Sequence, residues 1–423
     1  MTSLEIKPVS HPLHATVRVP GSKSLTNRAL LIASLANGTT HLTNALFSDD
    51  SIYFAGALQT LGFDIRLNDA DHEMQVVGLG GRIPSSKAEL FIGNAGTAAR
   101  FLSAFLTLGN GEYILDGDAR MRQRPIGDLV DALIQLGANL ETNRNCPPVK
   151  IHASGLRGGK AKIAGDISSQ FLSALLMVAP CAKQSVEMEV ITGLNSRPYV
   201  DMTLSVMKDF GMEIEREGYG KFVIHPASYL SLPAYAIESD ASAASYFFAA
   251  PAVCGGSLRV ENISRHSRQG DMAFLDVLEQ TGCHISEGEN FIEVAGPSEL
   301  QGVDIDMCDI PDTAQTLAAI APFASSPTRI HGIASARLKE TDRIHAVCTE
   351  LARLGVGIEE HDDGMTIFPC SHLSPASVHT YNDHRMAMAF SLIGLRTNGV
   401  IIENPACVSK TFPNYFEVLE SLR

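Results

Sequence analysis

Tryptophan is absent from this 423-residue chain, and aromatic residues make up only 6% of it. Proteins that hold single-stranded nucleic acid by stacking its bases need such rings, so that class is disfavoured. Cations are scarce as well: 33 Lys and Arg stand against 47 Asp and Glu, a net charge of -14. A polynucleotide or an anionic membrane requires a net basic face, which this composition does not supply. The eight cysteines show no C-x2-C or C-x4-C spacing, so neither a zinc site nor a disulfide framework is indicated. They read as reduced thiols of a cytoplasmic protein. No apolar run reaches the roughly 18 residues of a membrane span, and the opening MTSLEIKPVS has no charged-then-apolar leader pattern.

What the chain does have is a period. A polar cluster recurs about every 72 residues, each time opening a run of small and apolar residues. The copies begin at Ser22 (SKSLTNRALLIASLANG), Asn94 (NAGTAARFLSAFLTLG), Ser168 (SSQFLSALLMVAP), Asp240 (DASAASYFFAAPAVCGG), Asp312 (DTAQTLAAIAPFA) and Asp383 (DHRMAMAFSLIGLRTNG). Ser, Asn and Asp cap helix N-termini, so each copy predicts a capped helix that is apolar nearly all round and hence buried. Such an N-terminus carries unpaired N–H groups and partial positive charge, which suits anions. A second marker keeps the same interval. Short helical stretches end at Gly62, Gly137, Gly211, Gly282 and Gly355, each followed by strand-like alternation. Six units result, the last stopping at YFEVLESLR before its Gly. Three units per domain place a break near Pro233 and Ala234.

The basic residues gather in short motifs. In GSKSLTNR, Ser24 and Arg28 stand at i and i+4 on one helical face, with Lys23 at the helix start. GNAGTAAR is a Gly-rich turn in which Gly96 allows close approach to the backbone, and DGDARMRQRP puts Arg120, Arg122 and Arg124 on one loop. SSQ offers uncharged donors from Ser168, Ser169 and Gln170. LKETDRIHAV sets Lys339 and Arg343 at i and i+4 with Glu340 between them, while IPDTAQ and YNDHR add Asp312 and Arg385. Each motif alone reads equally well as a capped or solvated helix start, and Asp312 alone reads best as an N-cap. Together, cations at helix starts in an acidic chain fit a small, multiply anionic ligand.

GSKSLTNR, GNAGTA, the Arg124–Pro125 pair, SSQF, SRPY, IPD, LKETDR, NDHRMAM and the terminal Lys410–Thr411–Phe412–Pro413 together resemble the 5-enolpyruvylshikimate-3-phosphate synthase family, in family order from residue 21 to 413. The resemblance implies an α/β fold, a two-lobed inside-out barrel in which each lobe holds three βαβαββ repeats around buried helices, with the active site in the cleft between the lobes. One lobe would span 21–235 and the other 1–20 with 236–423. It also implies transfer of the enolpyruvyl group of phosphoenolpyruvate to shikimate 3-phosphate, with release of phosphate. Lys23, Ser24, Arg28, Ser168, Ser169, Gln170, Ser196, Tyr199, Asp312 and Lys339 would hold shikimate 3-phosphate. Gly96, Arg124, Arg343, Arg385 and Lys410 would hold phosphoenolpyruvate, with Lys23 and Gln170 shared. Glu340 would donate a proton and Asp312 accept one, with Lys23 a participant. No cofactor or metal is implied, because fixed cations stabilise the leaving phosphate. The partners are the two substrates, with no nucleic acid and no membrane, and a monomer is expected.

Three positions depart from the family pattern. Ser335 stands where many members have Asn at a substrate contact, and Phe101 follows Arg100 where many have Pro. Ser239 opens a segment that usually reads GDAS, and the fourth polar copy, at Asp240, reads mainly as a crossing between lobes. A sister family that acts on UDP-N-acetylglucosamine shares the fold and the helix start, but it usually carries a reactive Cys before its Arg–Pro; residues 116–124 contain none. A non-catalytic anion-binding protein on the same repeat would not need Asp312 and Glu340 beside the clamp.

Overall fold

Six small sheets take up the strands, and five of them repeat one pairing order. The computed structural model describes residues 3–423 and divides into two compact units, Gly21–Glu238 and the segment up to Pro20 joined with Ser239–Arg423. In each of the five sheets a first strand pairs parallel with a second, the second pairs antiparallel with a third, and the third pairs antiparallel with an edge strand.

In Gly21–Glu238 the parallel pairs are Tyr235–Ala236 with Asn37–Thr43, Lys87–Phe91 with Asn110–Asp116, and Gly159–Ile163 with Val186–Val190. Between the members of each pair, or ahead of the second, runs a buried helix: α1 (Lys23–Leu35), α3 (Gly96–Leu106) or α5 (Ser169–Val178). The partly exposed α2 (Asp49–Thr60), α4 (Gly127–Gln135) and α6 (Arg197–Asp209) follow the second strands. The other unit repeats the scheme. Leu13–Arg18 pairs with Gly256–Glu261, Asp304–Asp306 with Thr328–His331, and Ala376–Val378 with Val400–Glu403. Its buried helices are α7 (Ala241–Cys254), α9 (Ala314–Ile320) and α11 (His384–Gly394), each followed in turn by α8 (Phe274–Gln280), α10 (Arg343–Arg353) and α12 (Tyr415–Glu420). In the sixth sheet the third place is taken by Ser3–Ile6, which pairs antiparallel with Val400–Glu403. The N-terminal strand thus fills the third place of this sheet, which has three strands among the described residues.

The buried helices follow from composition. From Leu25 to Leu35 every residue of α1 is buried, and the same holds for all of α3 and α11. A helix apolar on every side gains by being surrounded. The apolar core is correspondingly split, one cluster running from Leu25 to Ile237 and the other from Ile6 to Leu422. All five marker glycines have the left-handed backbone that ends a helix, φ from 82° at Gly211 to 97° at Gly282. Gly21 is required for a different reason: a Cβ there would lie 1.9 Å from the Asn44 carbonyl oxygen. The chain enters the first unit at this point, and the Ser22 N–H donates to the Glu238 carbonyl at 2.8 Å, tying entry to exit.

Candidate active site

In Gly21–Glu238 the starts of the buried helices carry the nominated residues. Ser22 caps α1, its side chain accepting from the Leu25 N–H, and Lys23 is the first helical residue. The Lys23 Nζ lies 3.4 Å from the Asp50 carboxylate. One turn on, Arg28 is buried to 1% exposure. Its Nε donates to Thr203 Oγ1 (2.8 Å), its Nη1 to the Ser24 carbonyl (2.9 Å), and its Nη2 to the Tyr199 carbonyl (3.1 Å) and Ser173 Oγ (3.5 Å). Ser24 and Arg28 therefore meet as their spacing predicts, but through the Ser24 backbone. Every acceptor is neutral, and among the described residues no carboxylate pairs with Arg28. Burial pulls its pKa down to about 10.

The second helix start holds Gly96 against Arg124. A Cβ on residue 96 would fall 2.4 Å from the Arg124 Nη2, so a side chain there would push the guanidinium from its present place. The Arg124 Nη1 donates to the Asn94 backbone oxygen (3.1 Å) and to Asn94 Oδ1 (3.0 Å). The N-cap of α3 is Ala95. Arg100 braces the turn from behind, its Nη1 donating to the Gly96 carbonyl and its Nη2 to the Pro125 carbonyl. At the third start Ser168 caps α5, Ser169 is buried, and Gln170 donates to Thr97 Oγ1 at 3.3 Å, next to Gly96. Ser196 takes the left-handed conformation at the start of α6, which also carries Tyr199. Arg122 is exposed and pairs with Asp116, while the half-buried Arg120 donates to Gln123 Oε1 at 3.4 Å.

In Ser239–Arg423 the arrangement is of another kind. Asp312 precedes α9, but the N-cap is Thr313. The Asp312 carboxylate accepts from Arg343 Nη1 (3.0 Å) and from Arg385 Nη2 (2.8 Å), so its role as a simple cap gives way to that of a bridge between two cations. Arg343 is buried and also donates to Glu340 Oε2 (2.8 Å) and, through Nε, to Asp383 Oδ2 (2.8 Å). Burial would lower its pKa, but Asp383, Glu340 and Asp312 outweigh that and raise it. Lys410 Nζ stands 3.9 Å from Glu340 Oε1 at the end of the 3-10 helix Pro405–Lys410. Ser335 is buried in the 3-10 helix Ala334–Leu338.

Lys339 and Arg343 do not share a helix face, contrary to the i, i+4 expectation. Lys339 ends the short 3-10 helix in an extended conformation, and α10 begins only at Arg343 because Asp342 caps it, accepting from the His345 N–H at 3.0 Å. Four residues carry weight that no local spacing revealed. Asp383 caps α11 and at the same time grips Arg343. Asp50 faces Lys23 from α2. The Tyr246 hydroxyl accepts from Arg385 Nη1 at 3.4 Å, its own pKa pushed up to about 12 by burial. Asp271 accepts from Ser242 Oγ, and burial followed by the nearby Asp312 charge pushes its pKa up to about 6. Ser242 and Tyr246 lie on α7, so the fourth polar copy is part of this cluster and not merely a crossing. Among the described residues no group of three or more His, Cys, Asp or Glu could hold a metal ion, and no helix is long and apolar enough to cross a membrane. One unit therefore offers a buried cation open to an anion, and the other offers carboxylates already joined to cations, a pairing suited to moving protons.

Comparison with known proteins matches the chain to one family. The family model described as EPSP synthase (3-phosphoshikimate 1-carboxyvinyltransferase) matches residues 8–419. The chain is 51% identical over 418 residues to the 3-phosphoshikimate 1-carboxyvinyltransferase of Nostoc punctiforme, covering 98% of each chain. It is 48% identical to that of a Sulfurovum species, covering 100% of this chain and 99% of the relative. An EPSP synthase structure from Acinetobacter baumannii superposes with a TM-score of 0.83 at 25% identity, over 99% of this chain and 98% of that one.

Proposed function

The chain belongs to the EPSP synthase family, and from that premise we propose how its residues divide the work of the reaction. It transfers the carboxyvinyl group of phosphoenolpyruvate to the 5-hydroxyl of shikimate 3-phosphate and releases phosphate, on the route to chorismate and the aromatic amino acids. Each substrate carries a phosphate and a carboxylate. Shikimate 3-phosphate is assigned to Lys23, Ser24, Arg28, Ser168, Ser169, Gln170, Ser196, Tyr199, Ser335 and Lys339, with Asp312 at its reacting hydroxyl. Phosphoenolpyruvate is assigned to Gly96, Arg124, Arg343, Arg385 and Lys410, with Lys23 and Gln170 shared between the two substrates.

Glu340 gives a proton to the methylene carbon of phosphoenolpyruvate, and positive charge develops at the neighbouring carbon. The 5-hydroxyl attacks that carbon and passes its proton to Asp312, which leaves a tetrahedral intermediate. In the second half, the Glu340 carboxylate takes a proton from the new methyl group while the C–O bond to phosphate breaks and phosphate departs with the proton that Asp312 had taken up, Lys23 standing beside it as a cation. Arg343 and Lys410 hold Glu340 in the free protein. A phosphate or carboxylate arriving at these cations adds negative charge beside Glu340 and favours its protonated, donor form. One observation carries this division of labour: the buried Arg343 guanidinium joins both proton-transfer carboxylates, Asp312 and Glu340, to the anion clamp.

We assign the chain the two-lobed inside-out α/β barrel of its family, on the support of the recurring sheet order, and a cytoplasmic location, on the support of its eight free cysteines. The purified protein is expected to release phosphate from phosphoenolpyruvate only when shikimate 3-phosphate is present, in a coupled phosphate assay. Release driven by UDP-N-acetylglucosamine, or none with either acceptor, would overturn the reading.

A further inference from the structure

A buried cation with no counter-carboxylate must be held charged and aimed by something else while its ligand is away. Arg28 has neutral oxygens along its edge and one aromatic face, that of Phe101, whose ring centroid lies 5.3 Å from the guanidinium carbon. Phe101 is wholly buried on α3, so the negative face of the ring meets the guanidinium out of water, where that attraction is strongest. The edge bonds occupy Nε, Nη2 and one N–H of Nη1, which leaves the other Nη1 N–H for an incoming acceptor. Ring and edge together define the plane in which that N–H points.

We infer that Phe101 is a positioning residue for the reaction: its ring face holds Arg28 in the orientation that receives an anionic group of shikimate 3-phosphate. The inference rests on the assignment of Arg28 to that substrate. Chemical identity, and not only bulk, then matters at this position, since an aliphatic side chain could fill the space but would present no negative face. Phe101 also follows Arg100, which braces the Gly96 carbonyl, so α3 serves both the Gly96 turn and the Arg28 plane.

Fluorinated phenylalanines test this without changing shape. One, two or three ring fluorines drain the negative face in steps while the side chain keeps nearly its size. Introduced at position 101 of the full chain, they are expected to raise the Kd for shikimate 3-phosphate stepwise, by about threefold to tenfold across the series. The KM for phosphoenolpyruvate at saturating shikimate 3-phosphate is expected to stay within about twofold. Arg28→Ala serves as the control and is expected to weaken shikimate 3-phosphate binding more than any fluorine does. A flat fluorine series beside a damaging Arg28→Ala would overturn the role of Phe101 and leave it a core filler. An Arg28→Ala variant that binds normally would remove the assignment of Arg28, and this inference with it.

Discussion

Arg28 and Arg343 are both buried guanidinium groups near the start of a helix, and their surroundings are opposite. Arg28 faces hydroxyl and carbonyl oxygens and a ring, whereas Arg343 is gripped by Asp312, Glu340 and Asp383. The first unit thus keeps one desolvated guanidinium with no carboxylate partner among the described residues. The second keeps its cations neutralised in advance by carboxylates that can exchange protons. One repeated scaffold has been driven to two electrostatic states, and on the roles proposed above the difference sets Arg28, which only holds a substrate, apart from Arg343, which also anchors the acid and the base. The helix starts show the same divergence: Ser22, Ser168, Asp240 and Asp383 cap their helices, while at Asn94 and Asp312 the N-cap passes to the next residue and the side chain engages an arginine.

The most damaging way to probe this contrast is Glu340→Gln, which keeps the shape but removes the proton. It is expected to lower kcat by about 10²- to 10⁴-fold while the KM for shikimate 3-phosphate changes only a few-fold. Steady-state kinetics showing KM damaged as much as kcat would make Glu340 a binding group and erase the contrast. Arg28→Ala should act the other way, raising the KM for shikimate 3-phosphate by about 10²-fold, as expected when a buried charge pair loses one partner, with a smaller effect on kcat. A loss confined to kcat would break the comparison from its other side.

The smallest effect concerns Asp271, which sharpens the picture of the carboxylate-rich unit. Its folded pKa lies near 6, raised from 3.8 by burial and the Asp312 charge, so the folded chain binds this proton more tightly than the unfolded one. Stability should therefore fall as pH rises from about 4 to about 6 and stay low above that. Asparagine carries no such charge. The unfolding free energy of Asp271→Asn, minus that of the parent, is expected to climb across this window by up to ~3 kcal/mol, measured by urea unfolding at pH 4 and pH 7. A difference that does not move with pH would show that Asp271 does not feel the charge of its neighbours.

Much of the scaffold was legible because its signals are local. Six polar helix starts and five helix-ending glycines depend on backbone N–H groups and on a φ that glycine tolerates, and both are properties of a few consecutive residues. The motif residues were legible for a similar reason, as basic groups crowded at helix starts against an acidic background. Spacing failed where a nearer competitor won. Lys339 and Arg343 have helical spacing, yet the Asp342 cap starts the helix too late to include Lys339. Spacing was also silent on Asp50 with Lys23, Tyr246 with Arg385 and Asp383 with Arg343, because each pair joins different helices.

By itself, the order of residues determined where helices begin and end, which of them are buried, and which cations and carboxylates are available. Only the tertiary structure decided which cation meets a carboxylate and which is left with neutral oxygens. Whether a residue is polar, apolar or helix-breaking is a property it carries alone, but the charge state of a site depends on partners that helix packing brings within a few ångströms from distant parts of the chain. Arg28 and Arg343 are the same residue type; packing set one among neutral oxygens and a ring and the other among three carboxylates.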